Sequence, residues 1–133
     1  KQLIEMIKAT DLRIGNYVKD KKYPITYKVT AIGENGGWMQ VTDEFEDIDS
    51  AIEKLEPIPL TEEWLLRMGF RNGTLKKYKK EVGMWRKNKC SLYWQKGKGF
   101  RLSGKGIKVK SVSQLQNLYY FLTGKELVLN KIN

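Results

Sequence analysis

The sequence contains no histidine among its 133 residues. That absence removes the Ser-His-Asp triad, the Cys-His pair and the imidazole metal ligand together. Metal chemistry would have to be built from carboxylates alone, and nucleophilic chemistry would need a lysine or carboxylate base. Cysteine is almost as scarce. Cys90 stands by itself, so an intramolecular disulfide framework is excluded and a reducing, cytoplasmic setting is expected. No apolar run approaches the roughly 20 residues that a membrane span needs, so no membrane partner is expected. Residues 1–13 are too short and too interrupted by charge to read as a signal peptide. The expectation is a non-enzymatic protein, with no catalytic residue, metal ligand or cofactor assigned.

What the chain does have is enough apolar material to fold. Hydrophobic residues make up 41% and aromatics 11%, which argues against wholesale disorder. The length suits one ordinary domain, or two small modules sharing a core. Net charge is +10, and it is unevenly spread. Residues 1–60 carry eight Lys/Arg against eleven Asp/Glu, whereas residues 61–133 carry seventeen against four. Between Arg71 and Lys110, fourteen basic residues face a single acid, Glu81. The chain has two electrostatic halves.

The hydrophobic pattern divides in the same place. Leu12–Val18 alternates apolar and polar residues around a Gly-Asn pair, and Ile25–Ile32 is rich in β-branched and aromatic residues. Asn35-Gly36 is a turn signal, because both residues tolerate positive φ. Trp38–Thr42 returns as a third strand. Asp43–Glu56 holds seven acids and one lysine, and reads as a loop followed by a short strand or helical turn. These elements predict a small, partly open SH3-like β-barrel over residues 1–57.

Pro57-Ile-Pro-Leu-Thr61 reads as a junction into a second module over residues 58–133. Thr61 is an N-cap candidate for a short helix Glu62–Met68, which Gly69 would end. A β-meander is expected next, with strands around Leu75–Val82, Trp85–Trp94 and Phe100–Val109. Ser111-Val-Ser-Gln114 fits a capping box, and Leu115, Leu118, Tyr119 and Leu122 recur at helical spacing before a stop at Gly124. Leu127–Leu129 reads as a last short strand. The fold class expected is α+β: a small barrel, a proline junction, then helix–β-meander–helix.

Three stretches, Leu12-Arg-Ile-Gly-Asn-Tyr-Val18, Ile58–Phe70 and Val112–Leu127, together resemble a group of small uncharacterised proteins from prophages and mobile elements of gut Bacteroidetes. The resemblance spans most of the chain in the same order. It implies a phage-related setting, in a bacterial host or phage-infected cell, and no particular activity. In that group the C-terminal phrase is close to V-H-x-L-Q-N-L-Y-F-A-L-T-G-E-E-L. Ser113 stands here where histidine is usual, which argues against a metal or acid–base role for the position in this chain. The group also implies a start at Met6, with residues 1–5 an extension.

Several motifs have plain readings. Gly99-Phe-Arg-Leu-Ser-Gly-Lys-Gly106 approaches a phosphate-binding loop but lacks the final hydroxyl, and Ile107–Lys110 alternates like a strand. It reads as a glycine-bent basic hairpin. The acids from Asp43 to Glu53 lack the spacing and glycine of a calcium loop and read as a solvated acidic loop. Asn72-Gly-Thr74 reads as a turn. Cys90 alternates with Leu92 and Trp94, as a small buried residue would.

The basic, aromatic-rich stretch Arg71–Lys110 carries the functional signal. Cations neutralise phosphates and exposed rings stack on unpaired bases, which suits single-stranded nucleic acid. Lys76, Lys77, Lys79, Lys80, Arg86, Lys87 and Lys89 are the expected phosphate contacts. Tyr93, opposite Trp94 by strand alternation, is the expected stacking residue. The alternative is a protein-interaction or virion-assembly module that binds an acidic protein partner, or its own acidic loop in a homo-oligomer.

Overall fold

In a computed structural model the described residues are 11–34, 36–73 and 82–130. The first ten residues with Met6, Asn35 of the expected turn and all but the last residue of the strand expected over Leu75–Val82 lie outside them. The protein is α+β and divides into two compact units, Lys1–Ile58 and Pro59–Asn133.

The first unit is one curled antiparallel sheet, a half-barrel of five strands. These are β1 (Tyr17–Asp20), β2 (Thr26–Ile32), β3 (Trp38–Thr42), β4 (Asp47–Ala51) and β5 (Leu55–Glu56), in the order β4-β3-β2-β1-β5. Period-two alternation sets the inner face: Val18, Tyr27, Val29, Met39 and Val41 point in, with Leu12 and Leu55 closing the cluster. The curl is visible in a cleft of about 550 Å³, which Asp20 of β1 lines together with Asp49 of β4 although two strands separate them. A single 3-10 turn, Ile52–Lys54, leads from β4 into β5. There Lys19 stands across from Glu56, and the two form an ion pair of 3.3 Å.

One expectation needs correction in this unit, and another is filled out. The strand expected over Leu12–Val18 starts only at Tyr17. Before it, the Asn16 carboxamide accepts the N–H of Arg13 at 2.7 Å, so a side chain takes the donor a ladder would use. Asp43–Glu56 contains both a strand and a helical turn.

In the second unit, α1 (Glu62–Arg67) is capped by Thr61, whose hydroxyl accepts the N–H of Trp64 at 3.3 Å. Gly69 ends it at φ +87, a left-handed conformation that favours glycine. A five-stranded antiparallel sheet follows: β6 (Arg71–Asn72), β7 (Val82–Lys87), β8 (Cys90–Gln95), β9 (Gly99–Leu102) and β10 (Lys108–Val109), in the order β10-β9-β8-β7-β6. The single strand expected over Trp85–Trp94 is instead the β7–β8 hairpin. Asn88, at φ +52, supplies its left-handed turn residue, a role that asparagine fills without glycine. The strand expected over Phe100–Val109 is likewise two strands, bent at Gly104 and Gly106.

The last helix, α2 (Val112–Thr123), has the expected caps. Ser111 Oγ accepts the Gln114 N–H at 3.2 Å, while Gln114 Oε1 accepts the Lys110 N–H at 2.9 Å. Its buried stripe is rotated from the expected one. Val112, Leu115, Gln116 and Tyr119 are buried, whereas Leu118 and Leu122 are only half-buried. Gln116 turns inward because its amide donates to the Leu127 carbonyl at 3.0 Å. Residues 125–130 are irregular chain, not the strand expected over Leu127–Leu129. Among the described residues, no helix is long and apolar enough to cross a membrane.

Candidate functional site

The register of the second sheet sorts its side chains into two faces, because residues opposite each other in a ladder point the same way. One face carries Trp85, Cys90, Leu92, Phe100, Leu102 and Val109, all buried. Tyr119 of α2 lies on this side. The Lys87 ammonium sits 5.7 Å from the Tyr119 ring centre, and Asn88 Nδ2 donates to the Tyr119 hydroxyl. This face is core.

The other face is basic. Across it Arg71 stands opposite Arg86, and Arg86 opposite Ser91. In the next row Met84 is opposite Tyr93, Tyr93 opposite Arg101, and Arg101 opposite Lys108. At a strand spacing of about 4.8 Å the second row is about 14 Å long, and the rows lie about 7 Å apart. Arg71, Arg86 and Lys108 are exposed; Met84, Tyr93 and Arg101 are half-buried. Four cations thus flank a tyrosine and a methionine, Arg71 and Arg86 in the row on one side and Arg101 and Lys108 at one end of their own row.

This arrangement has an electrostatic cost. Arg71–Arg86 and Arg101–Lys108 are directly opposed like charges, which weaken a ladder. Among the described residues, no carboxylate lies within 4.0 Å of any of the four. Arg86 Nε donates to Ser91 Oγ at 3.0 Å. Arg101 Nε is buried and has no hydrogen-bond acceptor among the described residues. The first unit uses the opposite solution at Lys19 and Glu56.

The expected contacts separate on this frame. Arg86 and Tyr93 share the basic face. Lys87 turns to the core side, where its ammonium donates to the Met68 carbonyl at 2.7 Å and closes the end of α1. Lys89 is exposed in the β7–β8 turn. Lys76, Lys77, Lys79 and Lys80 lie outside the described residues. Arg71, Arg101 and Lys108 join the site only through pairing register. Their signal in the sequence was alternation with Asn72, Phe100, Leu102 and Val109, which needs correct strand bounds to be read.

Other candidates are quieter. Cys90 is fully buried and burial pushes its thiol up to about 11, so it is not a nucleophile at neutral pH. Gly104–Gly106 leads into β10, not a helix. Among the described residues, no group of three or more Cys, Asp or Glu side chains is placed to hold a metal. In the first unit the β3–β4 turn is well formed. Asp43 Oδ1 accepts the N–H groups of Phe45 at 2.7 Å and Glu46 at 2.9 Å, and these bonds hold its carboxyl below the usual range. Phe45 at its tip is 89% exposed. Comparison with known proteins finds no matching family model, no matching curated protein and no matching solved structure.

Proposed function

We propose that this chain is a non-enzymatic, phage-type accessory protein whose second unit binds single-stranded nucleic acid with little sequence preference. The observation that carries the reading is the pair of opposed like-charge contacts, Arg71–Arg86 and Arg101–Lys108, around Tyr93. Folding gains nothing from setting cations against each other on one face. A phosphate backbone laid across the rows relieves both repulsions. Tyr93, in the middle, offers a ring on which an unpaired base stacks whatever its identity.

The first unit is read as an SH3-like barrel. The strand order β4-β3-β2-β1-β5 and the 3-10 turn before β5 support that reading. The second is read as a helix–meander–helix module, with α1 and α2 flanking the sheet in sequence. Neither fold names a ligand, and the functional argument rests on the basic face alone.

The test is fluorescence anisotropy with a labelled single-stranded oligonucleotide at several salt concentrations. Four contacted phosphates correspond to a slope of log K against log salt of about −3 for a single strand. Binding that is insensitive to salt, or equal for heparin and oligonucleotide and indifferent to Tyr93→Ala, contradicts the reading.

A further inference from the structure

We propose that the acidic β3–β4 turn of one copy docks through Phe45 onto the basic sheet face of a second copy. The inference uses the same face as the nucleic-acid reading but does not depend on its ligand.

Complementarity is the argument. Phe45 is 89% exposed at a turn tip, and nothing in the folding of the first unit uses its ring. It is flanked by Glu44, Glu46 and Asp47, all exposed and without ion-pair partners among the described residues. The basic face presents the reverse pattern, with Met84 and Tyr93 flanked by cations along one side and at one end. A phenyl ring gains on both a thioether and another ring. The flanking carboxylates then meet Arg71, Arg86, Arg101 and Lys108, and take over the repulsion those residues otherwise carry. The turn arrives preorganised. Asp43 holds two of its N–H groups, and the Thr42 hydroxyl donates to the Glu46 carbonyl at 3.1 Å, so little ordering remains to oppose docking.

The interface is heterologous, knob on one copy and face on the other. The acidic turn and a nucleic acid therefore compete for one surface, and self-association regulates the access of nucleic acid to it.

Sedimentation velocity of the full chain tests this. Association should depend on concentration and weaken from about 50 mM to about 500 mM salt, as the screening length falls. Phe45→Ser should weaken it at least about fivefold, as loss of a central anchor does. Arg86→Glu, exposed on the other partner surface, should do the same. An equimolar mixture of the two variants should associate again, because one retains the face and the other the knob. A wild type that stays monomeric overturns the proposal, as does association unchanged in both variants. Anisotropy with labelled oligothymidine on Phe45→Ser keeps the two readings apart, since that variant retains the basic face. Oligothymidine bound by a chain that never self-associates removes only the docking. Self-association without oligothymidine binding removes only the nucleic-acid reading.

Discussion

Arg101 and Lys108 face each other across the β9–β10 ladder, on the same side as Tyr93 and without an acid within 4.0 Å among the described residues. Arg71 and Arg86 repeat the arrangement on β6 and β7. In the first unit, Lys19 meets Glu56 at 3.3 Å in the equivalent cross-strand position. The chain thus pairs opposite charges in one sheet and like charges in the other. The second choice sets the basic face apart from an ordinary solvated surface, where scattered lysines would be the expectation.

Tyr93→Ala should reduce affinity for a single-stranded oligonucleotide by about 1–3 kcal/mol while leaving the salt slope unchanged, because stacking releases no counterions. Anisotropy titrations at three salt concentrations measure both quantities. A flattened slope would assign Tyr93 a different role, in positioning the neighbouring cations.

Lys87→Ala should act on stability and not on binding. Its ammonium donates to the Met68 carbonyl at 2.7 Å on the core side of the sheet, and hydrogen bonds from charged groups are worth about 1.5–3 kcal/mol. Chemical denaturation should show a lowered midpoint with the oligonucleotide salt slope intact. A reduced slope at unchanged stability would return Lys87 to the phosphate contacts.

The rotated stripe of α2 makes a comparison of two leucines informative. Leu115 is fully buried, so Leu115→Ala should cost about 2–5 kcal/mol. Leu118 is half-buried and should cost clearly less on the same truncation. Equal losses in urea denaturation would contradict the stripe centred on Leu115 and Gln116.

Cys90 gives a pH signature. Burial raises its folded-state value from 9.0 to about 11. Between those values the unfolded chain loses a proton that the folded chain keeps, so this group's contribution is present below pH 9 and lost as pH rises toward 11. Cys90→Ala should flatten the alkaline fall in stability. The native thiol should also resist alkylation at pH 8 and react on unfolding.

How far the sequence could be read follows from where its signals were local. Ser111, Gln114 and Gly124 mark the ends of α2 because capping is decided within one turn. Trp38–Thr42 was legible as β3, since its alternation is unbroken. The β7–β8 hairpin was not, because the turn rests on Asn88 adopting φ +52 with no adjacent glycine or proline to mark it. That error hid the site. Lys87 and Tyr93 fell within one expected strand; they lie on opposite faces of adjacent strands. Arg71, Arg101 and Lys108 come together only through register, which alternation alone does not fix across a meander. Gln116 turned α2 through a bond to Leu127 that no periodicity predicts.

The central claim is that the basic face is built for an anion at the expense of the fold, and Lys108→Glu tests it most directly. The substitution sets a carboxylate opposite Arg101 and turns a like-charge pair into an ion pair on an exposed edge strand. Thermal denaturation should show a gain of a few tenths of a kcal/mol, up to about 1 kcal/mol. The same protein should bind a labelled oligonucleotide more weakly, with a slope of log K against log salt less steep by about 0.7 or more. Stability and affinity moving in opposite directions is the predicted result. A variant that binds as tightly as the wild type, with an unchanged slope, would contradict the account.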